Sequence, residues 1–261
     1  MESRMNENLS PAASKKAAFV IPAYNEEALI GACLQSVREE IARYPFADAI
    51  EVVVVDNAST DRTGEIARSV PGVTVVYEGK KGLGAARAAG LANSTAPFVA
   101  NIDADSIVPP GWLGIALDAF EKDETLVCVS GPYIYHDLDA FDRALVEGFY
   151  WITKGIYFLN RYVFRVGSVV QGGNFVFKRA AWDAVGGYNR DIVFYGEDTD
   201  IAVRLSEVGG VLWTFKLRMW TSGRRLKQQG IIRTAGAYTL NFFSVTFRGK
   251  PATRTHEDYR G

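Results

Sequence analysis

Residues 50–61 read IEVVVVDNASTD, a continuous β-branched run that ends in a polar and acidic loop. Four similar runs occur along the chain: AAFVIP (17–22), VTVVY (73–77), PFVANID (97–103) and TLVCVS (125–130). Short, continuous apolar runs are typical of strands that are buried on both faces of a parallel sheet. We therefore predict that these five segments are strands of one sheet.

Helical patterns lie between these predicted strands. Apolar residues repeat at helical spacing from Ile30 to Ile41, and the segments 61–69 and 83–94 predict two more helices. Strands and helices that alternate every 20–30 residues or so are typical of an α/β doubly wound fold. Ligands bind beyond the carboxyl ends of the strands in such a sheet. The loops that follow the strands are therefore the candidate site.

Composition limits the class of protein. The chain has 261 residues, of which 48% are hydrophobic and 23% charged, which excludes collagen-like and wholly disordered proteins. No uncharged stretch is longer than residues 88–102, so we predict no membrane span. Cys33 and Cys128 lie far apart in apolar patterns, which argues against a disulfide framework or a thiolate metal site. Residues 1–16 lack an apolar run, which predicts a disordered tail and a cytoplasmic protein.

The C-terminal segment is strongly basic. Residues 216–261 contain ten Lys or Arg and two Asp or Glu, whereas residues 1–215 contain 19 and 28. This segment could be a solvated surface that aids solubility, or it could contact a diphosphate or an anionic lipid. The sequence leaves these interpretations open.

Three acidic loops follow predicted strands: residues 22–27, residues 56–61 and the segment Asp103-Ala104-Asp105. Any one of them could simply cap a helix or form a turn. Together they bring several carboxylates to one edge of the sheet, where they repel each other unless a cation or a hydroxyl-rich ligand lies between them. We therefore predict a ligand site at this edge.

Six segments carry a resemblance to a known family. They are PAYNEE (22–27), VVVVDNASTDRT (52–63), KGLGAARAAGL (81–91), NIDADS (101–106), GGNFVFKRAAWDAVGGYN (172–189) and YGEDTDIAVRL (195–205). In this order they resemble the inverting family 2 glycosyltransferases of the GT-A fold over about residues 18–225. The resemblance implies a Rossmann-like, mostly parallel central sheet flanked by helices. We expect one GT-A catalytic domain at 17–225 and a basic C-terminal extension at 226–261.

The implied function is the metal-dependent, inverting transfer of a sugar from a nucleotide-diphosphate sugar to an acceptor hydroxyl. By resemblance, the donor nucleotide contacts Pro22, Ala23, Tyr24, Glu26, Asp56, Arg87 and Asp103. Asp105, with Asp103, matches the DxD motif whose carboxylates hold a Mg²⁺ or Mn²⁺ ion on the two phosphates. The glycine-containing segment at 81–91 could approach the nucleotide or could be a plain helix N-terminus.

Asp198 matches the general base of the family, and Glu197 beside it is expected to raise the pKa of that base. For Asp200 we favour a structural role, as a charge at a helix N-terminus. The resemblance places Gly172, Gly173, Asn174 and Trp220 near the sugar and the acceptor.

The chain departs from the family in one place. Many relatives have a metal-binding histidine after the base helix, but the corresponding segment here, LRMWTSGRRL (217–226), contains Arg224 and Arg225 instead. These arginines could neutralise the diphosphate by bidentate contacts, or they could form a solvated basic turn.

The aromatic segment at 141–165 has two interpretations. It could be a buried helix over the acceptor site, or it could lie in a membrane interface. In the second case Trp151, Tyr157, Phe158 and Tyr162 would lie at headgroup level, and Arg143, Lys154, Arg161 and Arg165 would reach the headgroups. The acceptor would then be a lipid-linked or membrane-bound glycan, and the protein would be peripheral at the inner face of the membrane.

We expect no nucleic-acid partner. Two other functions remain open. A sugar nucleotidyltransferase also uses a carboxylate-bound Mg²⁺, but its expected glycine-rich first loop is missing. A catalytically silent module that binds sugar nucleotides or glycans is disfavoured, because the carboxylates for the metal and the base are all present.

Overall fold

The computed structural model describes residues 16–164, 169–188, 196–248 and 252. Its strands are β1 (Ala17–Ala23), β2 (Ile50–Asp56), β3 (Val73–Tyr77), β4 (Phe98–Ile102), β5 (Ser106–Ile107), β6 (Leu126–Ser130), β7 (Tyr133–Tyr135), β8 (Asn174–Lys178), β9 (Gly210–Trp213) and β10 (Met219–Thr221). Its helices are α1 (Ile30–Ile41), α2 (Thr63–Ser69), α3 (Leu83–Ala92), α4 (Trp112–Lys122), α5 (Ala140–Phe158), α6 (Arg179–Ala184), α7 (Glu197–Val208), α8 (Arg224–Gln229) and α9 (Ile231–Arg248). A π-helical turn, Leu159–Phe164, continues α5.

The large sheet has seven strands in the order β3-β2-β1-β4-β8-β6-β9. All neighbouring pairs are parallel except the two that involve β8, which runs antiparallel to both β4 and β6. The carboxyl ends of β1, β2 and β4 therefore lie at one edge, where Ala23 is paired with Asp56. The predicted mostly parallel sheet flanked by helices is confirmed.

The five predicted strands all form, and β2 and β3 have the predicted bounds. The valines Val53, Val54 and Val55 are buried, because helices cover both faces of the sheet. The apolar side of α1 packs with Phe19 and Trp112 on one face, while α6 and α7 cover the other.

A second, three-stranded sheet has the order β5-β10-β7. Its strand β10 pairs with β5, so Thr221 lies opposite Ser106, and it also pairs with β7, so Met219 lies opposite Tyr133. These pairings bring the segment after β4 next to the segment that leads into α8. The small sheet therefore joins two parts of the candidate site that are more than a hundred residues apart.

In the part of the chain that the structure describes, no helix combines the length and the apolar composition that a bilayer crossing requires. The predicted tail at 1–16 lies outside the described residues except for Lys16, whose N–H donates to the carbonyl of Ala49. Within the predicted C-terminal extension, α9 packs against α7 and α8. The boundary at residue 225 stays a prediction.

Candidate active site

A cavity of about 420 Å³ opens at the carboxyl ends of β1, β2 and β4, within the size range of small-molecule sites. Most of the site residues predicted from the sequence line it: Pro22, Ala23, Tyr24, Glu26, Arg87, Asp103, Asp105, Gly172, Gly173, Glu197, Asp198, Arg224 and Arg225. The other three, Asp56, Asn174 and Trp220, do not line it. The fold thus gathers the acidic loops and three arginines into one concave site.

Arg87 is a buried part of the cavity wall and links its acidic residues. This side chain, from the second turn of α3, is only 1% exposed. Its guanidinium donates to Glu197 Oε1 at 3.2 Å, to Asp103 Oδ1 at 3.4 Å and to the carbonyl of Gly172 at 2.5 Å. Because these partners belong to three separate segments, Arg87 sets their positions relative to one another.

Asp103 is held from a second side, where the hydroxyl of Tyr133 donates to Oδ2 at 2.8 Å. Gly173 lies directly against this carboxylate: a Cβ built there would overlap Asp103 Oδ2 and the hydroxyl of Tyr133. Only glycine fits at this position without displacing the acidic group.

Asp105 is enclosed more deeply than its place in a loop suggests. Thr221 donates to Oδ1 at 3.3 Å, and Arg224 contacts Oδ2 at 3.2 Å. Burial, together with the negative charges of Asp103 and Glu26, raises the pKa of Asp105 to about 7, although Arg224 opposes the rise. The site therefore holds more negative charge than its own arginines neutralise.

Glu26 lies in the polar loop after β1. Its backbone N–H donates to Thr63 Oγ1 at 2.7 Å, and its carboxylate forms an ion pair with Arg224. Arg224 therefore bridges Glu26 and Asp105.

The pair Glu197-Asp198 opens α7, after Gly196, which has a φ of 86° and so takes a left-handed conformation that favours glycine. Burial is the main cause that raises the pKa of Glu197, and the charge of Asp198 adds to it while Arg87 opposes it. Burial also raises the pKa of Asp198. Hydrogen bonds from the backbone N–H groups of Asp198, Thr199 and Gly172 oppose this rise. Asp198 faces the cavity beside Gly172 and has the environment of a proton acceptor with a raised pKa.

The opposite wall has polar and aromatic groups. Lys81 Nζ donates to the hydroxyl of Tyr24 at 2.7 Å and lies over its ring. Asn57 holds the 80–82 loop, because its amide donates to the carbonyl of Lys80 and accepts from the N–H of Gly82. This wall is an ordered surface against which a planar base or a ribose could lie.

Arg225, next to Arg224 in the chain, also lines the cavity. It donates to Gln229 Oε1 at 3.2 Å and to the hydroxyl of Tyr238 at 2.9 Å. Tyr238 comes from α9 and also lines the cavity.

Three predicted residues lie outside the cavity lining. Asp56 ends β2 and accepts the N–H of Ser59, which stabilises the loop. Asn174 is fully buried, where its amide binds the carbonyl oxygens of Gly131, Pro132 and Leu217. Trp220 is exposed on β10. Their predicted contacts with donor or acceptor stay predictions.

Asp200, for which we favoured a structural role, forms an ion pair with Arg204 at 2.6 Å, four residues further along α7. Asp200 is not among the residues that line the cavity, so the alternative that it acts there has no support.

Sequence reasoning missed Tyr133, Asn57, Lys81, Gln171 and Tyr238 as cavity residues. Asn57 and Lys81 lie inside quoted motifs, so closer attention to the neighbours of Asp56 and Gly82 would have found them. Tyr133 and Tyr238 belong to apolar segments without any motif, and no local signal separates them from core residues.

In the described ranges, no three His, Cys, Asp or Glu side chains are grouped so that they could hold a metal alone. The carboxylates of Asp103 and Asp105 fit a different arrangement. Hard divalent ions commonly use one or two protein carboxylates and take their other oxygen ligands from phosphates and water. These residues therefore fit a metal that binds together with a diphosphate.

Comparisons with known proteins show the family of this chain. The model of the family described as glycosyl transferase family 2 matches residues 18–186. Chondroitin synthase of Escherichia coli is 28% identical over 214 residues, which cover 79% of this chain and 29% of that protein. The probable glycosyltransferase YdaM of Bacillus subtilis is 25% identical over 74% of this chain and 47% of its own length. This chain therefore spans less than half of either relative.

Solved structures show the same fold. Mannosyltransferase PcManGT from Pyrobaculum calidifontis, in complex with GDP-Man and Mn²⁺, superposes with a TM-score of 0.67 at 24% identity. The superposition covers 92% of this chain and 67% of the mannosyltransferase chain. Glucosyl-3-phosphoglycerate synthase from Mycobacterium tuberculosis, in complex with Mn²⁺, UDP-Glc and phosphoglyceric acid, has a TM-score of 0.59 at 22% identity. That superposition covers 92% of this chain and 82% of the synthase chain. The chain has the GT-A fold and belongs to glycosyl transferase family 2.

Proposed function

We propose that the protein transfers a sugar from a nucleotide-diphosphate sugar to an acceptor hydroxyl, with inversion at the anomeric carbon. One observation supports this most directly: the Asp103–Asp105 loop, the pair Glu197-Asp198 and Arg224 line a single cavity. Two structural neighbours were solved with Mn²⁺ and a nucleotide sugar, GDP-Man in one and UDP-Glc in the other.

In this proposal the donor nucleotide lies against the wall formed by the loop at 22–26 together with Asn57 and Lys81. The diphosphate then lies between Asp105 and the arginines Arg224 and Arg225. Asp103 and Asp105 would hold a Mg²⁺ or Mn²⁺ ion, which supplies positive charge to the leaving diphosphate. Arg225 adds a guanidinium on the same side.

Asp198 is the proposed general base. The acceptor oxygen attacks the anomeric carbon, the bond from that carbon to the diphosphate oxygen breaks, and the hydroxyl proton moves to the Asp198 carboxylate. Because enclosure raises the pKa of Asp198, its proton affinity is closer to that of a useful base than that of an exposed aspartate. Glu197 and Arg87 hold the start of α7 in place.

Donor screening followed by turnover tests this proposal. Thermal shifts with UDP-, GDP- and dTDP-sugars, with and without Mn²⁺, identify the donor, because a ligand that binds the folded state raises Tm. Asp198→Asn then lowers kcat by about 10²–10⁴-fold and leaves donor affinity almost unchanged. Asp200→Asn, which removes an ion-paired carboxylate from the same helix, is the matched control and keeps most of the activity.

Different outcomes favour the other functions. Release of pyrophosphate from a nucleoside triphosphate and a sugar phosphate would identify a nucleotidyltransferase. Donor binding without transfer to any acceptor would identify a binding module. Full activity of Asp198→Asn would move the role of the base to another group.

We further propose that the acceptor is a lipid-linked or membrane-bound glycan, reached at an anionic membrane surface. The outer face of α5, together with the turn that follows it, supports a membrane surface as the place of the acceptor. Eight large apolar residues are exposed there: Phe141, Leu145, Trp151, Ile152, Phe158, Leu159, Tyr162 and Val163. A patch of this kind, with aromatic groups, is typical of a helix that lies in a membrane interface.

Charge favours the same partner. The exposed charged side chains of α5 are the basic Arg143 and Lys154, while its acidic Asp142 and Glu147 are half-buried, and α9 adds exposed Arg233 and Arg248. Each such residue close to an anionic surface contributes about 1 kcal/mol. Two details of the prediction differ from the structure: Tyr157 is buried against Trp213, and Arg161 is half-buried and donates to the carbonyl of Val211. Arg165 lies outside the described residues.

Sedimentation with vesicles tests the membrane surface. The protein should sediment with anionic vesicles at low salt, less at high salt, and less with neutral vesicles. A triple variant, Trp151→Ser, Ile152→Ser and Phe158→Ser, should lose this binding. Tyr77→Ser, which removes an equally exposed aromatic group from β3, should retain it. Failure of the wild type to sediment with anionic vesicles at low salt would favour a soluble acceptor.

A further inference from the structure

We propose that Arg224 is an internal counter-ion that neutralises Glu26 and Asp105 before the donor binds, and that it leaves these carboxylates when a divalent metal binds. The inference rests on the proposed metal-dependent transfer and assigns control of metal binding in that site to one residue. Arg224 thus couples the binding of the metal to the binding of the donor.

The first argument is position. Arg224 Nη2 contacts Asp105 Oδ2 at 3.2 Å and forms an ion pair with Glu26 Oε1. It therefore occupies the space beside the carboxylate that would ligate a metal. The side chain of Arg224 is 31% exposed, whereas both carboxylates are more deeply buried. A cation that reaches buried carboxylates from the solvent side can withdraw without disrupting the core.

The second argument is the way in which the backbone is held. Arg224 is the first residue of α8, and the residues around it are tied to Asp137. The N–H of Gly223 and the hydroxyl of Ser222 both donate to that carboxylate, and Lys227 Nζ lies 3.5 Å from it. The start of α8 therefore stays in place while the long side chain above it can change its rotamer.

The third argument is chemical. A guanidinium carries a permanent positive charge and offers no lone pair to a metal, so it competes with the ion instead of ligating it. A univalent and a divalent cation about 4 Å apart repel each other, even in water, by an energy equivalent to about thirtyfold in affinity. Arg224 must therefore move before Asp105 can ligate a metal well.

The diphosphate of the donor offers Arg224 a new partner. Arginine matches phosphate oxygens with two parallel N–H groups, and the cavity places Arg225 on the same side. Donor binding then draws Arg224 from the carboxylates and opens the metal position. Because coupling between two ligands is reciprocal, the metal strengthens donor binding by the same factor.

Binding of Mn²⁺ alone tests the inference without any turnover. Free Mn²⁺ is measured by electron paramagnetic resonance at pH 8 for the wild type, Arg224→Gln, Arg224→Lys and Arg218→Gln. Arg224→Gln should bind Mn²⁺ about tenfold more tightly than the wild type, because the competing charge is gone; the gain is smaller than about thirtyfold because the wild-type side chain can withdraw. Arg224→Lys keeps the charge and should stay close to wild type. Arg218→Gln is the matched control, since Arg218 pairs with Glu147 and lies outside the cavity lining.

A second titration adds UDP or GDP. The nucleotide diphosphate should increase the Mn²⁺ affinity of the wild type by a larger factor than that of Arg224→Gln, which has no arginine to displace. In EDTA, Arg224→Gln should bind the nucleotide diphosphate more weakly than the wild type. The variant therefore changes the two affinities in opposite directions, which a general loss of structure would not do.

Two outcomes would overturn the inference, and they differ in what they say about the proposed function. Equal Mn²⁺ affinity of wild type and Arg224→Gln, with nucleotide still promoting metal binding, rejects the role of Arg224 and leaves metal-dependent transfer intact. Absence of Mn²⁺ binding in every variant, with or without nucleotide diphosphate, rejects both.

Discussion

Replacing Arg87 by methionine removes a buried guanidinium that joins three segments of the cavity, while keeping a long unbranched side chain. In the wild type this group contacts Glu197, Asp103 and the carbonyl of Gly172. Methionine fills much of the same volume but offers no donor. The variant therefore leaves two carboxylates without their cation.

The size of the effect follows from burial. Arg87 and Glu197 have side chains that are 1% and 7% exposed, so solvent compensates little for the lost contact. Removing one partner of a buried ion pair typically lowers the free energy of unfolding by about 3–5 kcal/mol. This is a large part of the roughly 5–15 kcal/mol by which a domain is stable. For a protein of this size the corresponding fall in Tm is about 6–20 °C.

The loss should depend on pH. Arg87 opposes the rise in the pKa of Glu197, so its removal raises that pKa further. A carboxyl group whose pKa is higher in the folded than in the unfolded state favours folding in its protonated form. Its contribution is present below the unfolded value and is lost as pH rises through the folded value. Arg87→Met should therefore be least destabilised near pH 5 and most destabilised near pH 8.

Urea unfolding at several pH values measures these differences. Arg62→Met is the matched control, because Arg62 pairs with Glu27 in solvent, with side chains 71% and 42% exposed, and should change stability by less than about 1 kcal/mol. Adding Glu197→Gln to Arg87→Met should restore part of the loss, since the unpaired charge is then removed. If Arg87→Met proved no less stable than Arg62→Met at pH 8, the role assigned to the buried guanidinium would be refuted.

Three other predictions follow from the same site. Gly173→Ala should lower kcat/KM by about 10²-fold, because the new Cβ displaces Asp103; Gly148→Ala, where the Cβ meets open space, should not, and equal activity of the two would contradict the steric argument. Asp105→Asn should raise Tm in EDTA more at pH 8 than at pH 5, since a pKa of about 7 makes the carboxyl group cost more stability at the higher pH, where it is ionised in the folded state; a difference independent of pH would count against this. Asn174→Ala should lower the unfolding free energy by about 3 kcal/mol in urea, because buried carbonyl groups lose their donor; a loss below about 1 kcal/mol would be inconsistent with that account.

The central strands could be predicted because their signal is local. The run at 50–56 is continuous and β-branched, and β2 covers these residues in the structure. The periodic residues of α1 likewise matched the observed helix from Ile30 to Ile41. In both cases the residues that form the element also carry the apolar pattern that buries it.

Strand β8 was not predicted, although it lies in the middle of the large sheet between β4 and β6. Its five residues pair with segments about 50 to 80 positions earlier in the chain, for example Phe177 with Val99 and Cys128. No local sequence feature of such a short segment indicates which strands it will pair with or whether the pairing is parallel or antiparallel. Its place depends on the closure of the whole sheet.

Taken by itself, the sequence determined which residue types follow each strand, and therefore that acidic loops meet at one edge of an α/β sheet. It also determined the resemblance of six segments to family 2 glycosyltransferases. Only the tertiary structure decided which charges are partners. Arg87 became the buried link to Glu197, 110 residues away, and Arg224 came to bridge Glu26 and Asp105, 198 and 119 residues away. The physical reason is that an ion pair depends on a few ångströms of distance and on local burial, and both are set by how distant segments pack rather than by their order along the chain.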